Sequence, residues 1–93
     1  MNNINLTNLR KKIDIIDEKI ASLFNERMKI VKEVGIEKAK TKAPILNKNR
    51  ENEVIEKISS MVNEEIKPYA VTLFETIMQV SRDYQSKWKN LRL

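Results

Sequence analysis

The chain has 93 residues, with one Gly, two Pro, no Cys, no His and a net charge of +5. So short a chain makes a single domain, residues 1–93, and is marginally stable unless it oligomerises. Without Cys or His there are no disulfides, no thiol chemistry, no neutral-pH proton carrier of the usual kind and few metal ligands.

The scarcity of turn residues argues against a β-rich fold, and the abundance of Lys, Glu, Ile, Leu, Asn and Arg favours long helices. An all-α chain is predicted. No apolar run reaches membrane-spanning length and no signal-peptide core follows Met1, so a soluble cytoplasmic protein is expected, with no membrane partner. The positive charge is spread along the chain and suits an anionic ligand.

Leu6, Leu9, Ile13, Ile16, Ile20, Leu23, Ile30 and Val34 follow a 3-4-3-4 spacing, widened by Phe24 and Val31. This predicts an amphipathic helix of about ten turns, ~50 Å long at ~1.5 Å per residue. Asn5 or Thr7 offers a cap at its start, and Gly35 lies inside it. A seam this long needs a partner, and a second copy of the chain is the simplest one. The stretch KTKAPILNKN breaks the pattern, because Ala43 precedes Pro44 and is biased away from helical angles. Asn47 or Asn49 then caps a shorter helix carrying Val54, Ile55, Ile58, Met61 and Val62. NEEIKP ends it, and a third helix starts near Pro68 with the stripe Ala70, Leu73, Phe74, Ile77, Met78, Tyr84 and Trp88. The tail, KWKNLRL, is basic, and the sequence does not choose between order and fraying.

Polar residues interrupt each apolar stripe. Arg27 occupies the seam position between Leu23 and Ile30. Lys38 is eleven residues on, and ~100° per residue brings it within ~20° of the same face. In the second helix Glu51 lies seven residues before Ile58, beside Arg50; in the third, Ser81 follows Ile77 by four and Gln85 follows Ser81 by four. An isolated buried charge costs several kcal/mol, so these groups meet water, one another or a ligand. Glu51 paired with Arg27 or Lys38 is the structural explanation, and it leaves cations in surplus. A pocket with unmatched positive charge, a carboxylate, a hydroxyl and an amide fits a small polyanion carrying hydroxyl or ether oxygens. Arg10 sits ~100° round from Arg27 and ~25 Å along the axis, so it enters such a pocket only from a partner chain, or is simply a solvated arginine.

In order and at these intervals, LRKKIDIIDEKIASLFNERMKIVKEVGIEK, the API loop leading into NRENEV, and the late SRDYQ resemble the all-helical chorismate mutases over roughly Leu6 to Trp88. The resemblance implies an intertwined homodimer of three-helix chains, one helix very long and two shorter, with two equivalent sites and no cofactor or metal. It implies the rearrangement of chorismate to prephenate, in the shikimate pathway branch toward Phe and Tyr. Arg27 from one chain and Arg10 from the other are assigned to the substrate carboxylates, with Ser81 helping. Lys38 and Gln85 go to the ether oxygen, Glu51 goes to the ring hydroxyl, and Arg50 supports the site electrostatically. Relatives often have Asp where this chain has Asn47, which is carried over as a substrate-binding position. No domain for sensing Phe or Tyr is evident, so feedback control within this chain is not expected.

Two rivals stand beside this reading. An isochorismate-pyruvate lyase shares the helical fold and arginine-rich pocket, but having both Glu51 and Ser81 looks more like a mutase. A helical binding module for nucleic acid or protein fits the charge alone; no helix-turn-helix pattern appears and the aromatics are not interleaved with cations, so no nucleic-acid partner is expected. A coiled-coil scaffold leaves Arg27 unexplained except as a register-setting residue.

Overall fold

The computed structural model describes residues 2–89, with side chains from residue 5 onward. Every regular element among them is helical: α1 (Asn2–Thr41), α2 (Lys48–Met61) and α3 (Lys67–Gln85), with short 3-10 turns at Glu64–Ile66 and Ser86–Trp88. The chain divides into two units, Met1–Ile30 and Val31–Leu93. The last four residues of the basic tail lie outside the described residues.

The first unit is the N-terminal part of α1. Asn5 and Thr7 lie within the helix and do not cap it, since α1 already runs from Asn2. Nothing in the first turns is a helix breaker, so the helix continues past both cap candidates toward the N-terminus. Its apolar stripe is laid out as the spacing predicts, and it is exposed: Leu6, Leu9, Ile13, Ile16, Ile20, Leu23 and Ile30 each keep between 45% and 62% of their surface open. Burying one such side chain is worth ~1.5–3 kcal/mol, so this stripe is a large reserve of unused burial. Arg27 and Met28 are half-buried.

The second unit holds the core. Val31 near the end of α1 and Ala70 and Met78 of α3 are its buried apolar residues. Val54, Ile55 and Ile58 of α2 pack half-buried. Two stripe members fall off the core: Met61 at the last residue of α2 is 69% exposed and Leu73 is 54% exposed. The buried face of α3 centres on Ala70, Phe74, Met78, Ser81 and Gln85, and Leu73 lies ~100° round from it.

Residue types at the helix ends explain where the elements stop. α1 closes with a Schellman arrangement: Lys42 adopts the left-handed region at φ 58°, and the Ala43 N–H donates to the Lys38 carbonyl at 2.9 Å. Pro44 follows and cannot continue the helix. Asn47 caps α2, its Oδ1 accepting from the Arg50 N–H at 3.0 Å. Pro68 sits in the first turn of α3, where its missing N–H costs nothing. At the other end of α3, Trp88 meets Tyr84 edge-on at 4.8 Å between ring centroids, and the Lys32 ammonium of α1 lies 5.4 Å from the Trp88 ring. Stacking of this kind ties the ends of α1 and α3 in place.

Candidate active site

At Gly35 the backbones of α1 and α3 lie close together. A Cβ there would lie 3.2 Å from the Gln85 Cα and 3.3 Å from its Cγ. Only a residue without a side chain lets the two backbones approach so near, and the approach buries Gln85 to 7% exposure. The Gln85 Oε1 is buried and has no hydrogen-bond partner among the described residues. An amide group stranded in this way costs ~1–3 kcal/mol. A half-turn of the amide brings its NH₂ to the same point, so Gln85 can offer an acceptor or a donor there.

Lys38 is three residues beyond Gly35, one turn along the same side of α1. It is half-buried, and its ammonium donates to the Ile45 carbonyl at 2.6 Å. Burial pushes its pKa below the ordinary lysine value, and the nearby Glu51 carboxylate opposes that shift. An ammonium in this state is short of hydration and has donor capacity left, since it carries three N–H groups.

Within the second unit Glu51 forms no ion pair with Lys38. Its carboxylate takes Arg82, whose Nη1 donates to both oxygens, at 2.6 Å to Oε1 and 2.5 Å to Oε2. Arg82 was not among the candidates, although it follows Phe74 and Met78 at i+8 and i+4 on the edge of the buried face. That register puts it at the rim of the face and does not by itself mark it as the partner of Glu51. Arg82 thus neutralises Glu51. The pair lines a cavity of about 270 Å³ between α2 and α3, with Lys48, Ile55 and Met78 also in its wall. That wall balances Lys48 and Arg82 against Glu51 and Glu75.

The other candidates divide by unit. Ser81 is buried, and its Oγ donates to the Ile77 carbonyl one turn back at 2.7 Å. Lys38, Glu51, Ser81 and Gln85 thus all belong to the second unit, on the three helices that build its core. Arg50 and Asn47 are exposed at the start of α2, where the contact seen for Asn47 is the cap. Arg10 and Arg27 belong to the first unit, Arg10 exposed and Arg27 half-buried. Among the described residues no cluster of three carboxylates is placed to hold a metal ion. No described helix is long and apolar enough to cross a membrane.

Residues 9–86 match the family described as chorismate mutase type II. The chain belongs to that family. Membership fits the all-α fold. A 53-residue stretch is 51% identical to the bifunctional chorismate mutase/prephenate dehydratase of Aquifex aeolicus (strain VF5), covering 57% of this chain and 15% of that protein. The chain therefore corresponds to a small part of that relative. No solved structure matches it.

Proposed function

We propose that this chain is a chorismate mutase, rearranging chorismate to prephenate within a single domain in the cytoplasm, in the Phe and Tyr branch of aromatic amino-acid biosynthesis. One C–O bond breaks as one C–C bond forms. No proton moves and no covalent intermediate is needed, so a chain without His or Cys is equal to the task. The observation that carries the reading is Lys38: an ammonium short of solvent, on the same side of α1 as the glycine that admits the buried Gln85 amide.

Each residue has a physical part. As the ether bond stretches, negative charge grows on its oxygen, and the Lys38 ammonium and Gln85 amide meet it without the reorganisation that water requires. Arg27 and Ser81 hold substrate carboxylates and restrain the enolpyruvyl arm over the ring, an orientation effect. Glu51 accepts the ring hydroxyl, and Arg50 adds positive potential at the mouth of α2. Asn47 keeps its side-chain oxygen on the helix cap and contributes there through α2's position.

The exposed stripe on residues 6–30 supports a homodimer in which a second copy covers it and supplies Arg10 to the partner's pocket. Such a dimer buries seven large aliphatic side chains per chain that are open in the single chain.

Purified protein without added metal is given chorismate, and ultraviolet absorbance follows its loss while solution mass is measured. Wild type turns over as a dimer. Lys38→Ala folds and loses a hundredfold or more in kcat, the ~2.7–4 kcal/mol that one such donor is worth. Near-normal turnover in folded Lys38→Ala removes Lys38 from the mechanism. Release of pyruvate from isochorismate, without turnover of chorismate, replaces the mutase by the lyase.

A further inference from the structure

The Glu51–Arg82 pair is an odd feature for a site that has to present a carboxylate to a ligand. Both side chains are mostly withdrawn from water, Arg82 at 25% and Glu51 at 22% exposure. One guanidinium nitrogen, Nη1, bridges both Glu51 oxygens, and a charge-assisted contact of this kind is roughly twice as strong as a neutral hydrogen bond. The guanidinium is also held from behind. Its Nη2 donates to the Gln79 Oε1 at 2.7 Å, and the Gln79 Nε2 donates to the Asp83 Oδ1 at 3.1 Å. Asp83, Gln79, Arg82 and Glu51 therefore form one connected line from the outer surface of α3 to the first turn of α2. Three of the four come from a single turn of α3, so the line is pre-assembled by the helix and reaches across to one carboxylate.

We propose that Arg82 is a positioning residue: by gripping both Glu51 oxygens it fixes that carboxylate to receive a substrate hydroxyl. The inference rests on the mutase reading, in which Glu51 meets the ring hydroxyl. Chemistry allows both contacts together. A carboxylate has about four acceptor positions, and Arg82 takes one on each oxygen. The remaining lone pairs lie away from the guanidinium and are free for an O–H donor. A free glutamate side chain, by contrast, has three rotatable bonds and several rotamers to lose when it binds. The pair further places Glu51 on the α2 side of the core, where its charge opposes the effect of burial on Lys38.

The test compares chorismate with an analogue in which hydrogen replaces the ring hydroxyl, both followed by ultraviolet absorbance. Wild type, Glu51→Gln, Arg82→Met, Arg82→Lys and the double variant Glu51→Gln/Arg82→Met are assayed, with circular dichroism melts as the folding control. Arg82→Met is expected to lose between about tenfold and a hundredfold in kcat/KM for chorismate, since a misplaced group costs that much. Its rate on the deoxy analogue should be nearly that of wild type. The double variant should be no worse on chorismate than Glu51→Gln alone, because both remove the same contact. Arg82→Lys, which keeps the charge and loses the planar group that holds Glu51 and Gln79 together, should show the same selective loss in smaller measure; it carries the comparison if Arg82→Met fails to fold. Equal losses on both substrates, or losses that multiply in the double variant, overturn the positioning role while leaving the mutase reading intact. Wild type inert toward both substrates refutes the mutase reading, and the positioning role with it.

Discussion

Replacing Gly35 by Ala sets two effects against each other, and the structure decides between them. Alanine gains ~1 kcal/mol over glycine inside a helix, so propensity alone predicts a more stable protein. Its Cβ, however, would stand 3.2 Å from the Gln85 Cα, 3.3 Å from Cγ and 3.4 Å from Cβ. Carbon atoms in ordinary contact sit ~3.5–4.0 Å apart, so α3 has to retreat by about 0.3–0.5 Å. One of the three neighbours is backbone, which a rotamer change cannot move. Overpacking of this sort costs ~1–3 kcal/mol, leaving the variant between unchanged and ~2 kcal/mol less stable. At ~4–8 °C per kcal/mol for a domain this size, Tm falls by up to roughly 15 °C. Turnover suffers more than stability, because the residue displaced is the buried amide: a loss of about tenfold to a hundredfold, mainly in kcat. A thermal melt and a chorismate-consumption assay on the same preparation measure both. Unaltered kcat with Tm raised by ~4–8 °C would mean that α1 and α3 are not this close at Gly35.

Titration of Lys38 has opposite consequences for stability and for turnover. Its folded pKa lies below the ordinary lysine value of 10.5 because burial disfavours the ammonium. Below the folded pKa both states carry the proton and the full burial penalty applies; as pH rises from there toward 10.5 the unfolded chain binds more protons, so stability increases. Over that window kcat/KM should fall as the ammonium is lost, whereas kcat should hold to higher pH because the bound dianion favours the charge. Lys38→Met should abolish the stability rise in denaturant titrations across that window. Lys42→Gly relieves a left-handed residue at φ 58° and should raise stability by ~1 kcal/mol in urea unfolding, without altering kcat. Asn47→Ala removes the α2 cap and should cost ~1 kcal/mol by the same measurement, while Asn47→Asp, also a good cap, should cost nothing.

The helices were legible because their apolar spacing is a local signal, repeated often enough to outvote exceptions such as Arg27. The loop between α1 and α2 was marked by Pro44, and the cap at Asn47 by its side-chain chemistry. What escaped were features set by approach between helices or by the cooperative closing of a terminus. Arg82 lies at the rim of the α3 face, where a stripe count assigns it to solvent, and only the position of α2 turns it toward Glu51. The left-handed conformation of Lys42 has no signature in a lysine, because the Schellman bonds of the preceding turn impose it. Gly35 was visible as a glycine within a helix, but the reason for it, the backbone of Gln85, is fifty residues away in the chain. The parts assigned to Arg10, Arg27, Lys38, Ser81 and Gln85 in handling substrate came from family resemblance, since a helical wheel shows which side a residue occupies and not what it binds.

Lys38 is tied twice to the strand of chain that follows it: its carbonyl accepts the Ala43 N–H, and its ammonium donates to the Ile45 carbonyl. Connecting segments ordinarily tolerate additions and deletions, but this one is spliced to the charged atom itself. An extra residue after Ala43 would leave the helix stop in place and carry the Ile45 carbonyl away from the ammonium, so the two residues between the stop and that carbonyl set where the charge is anchored.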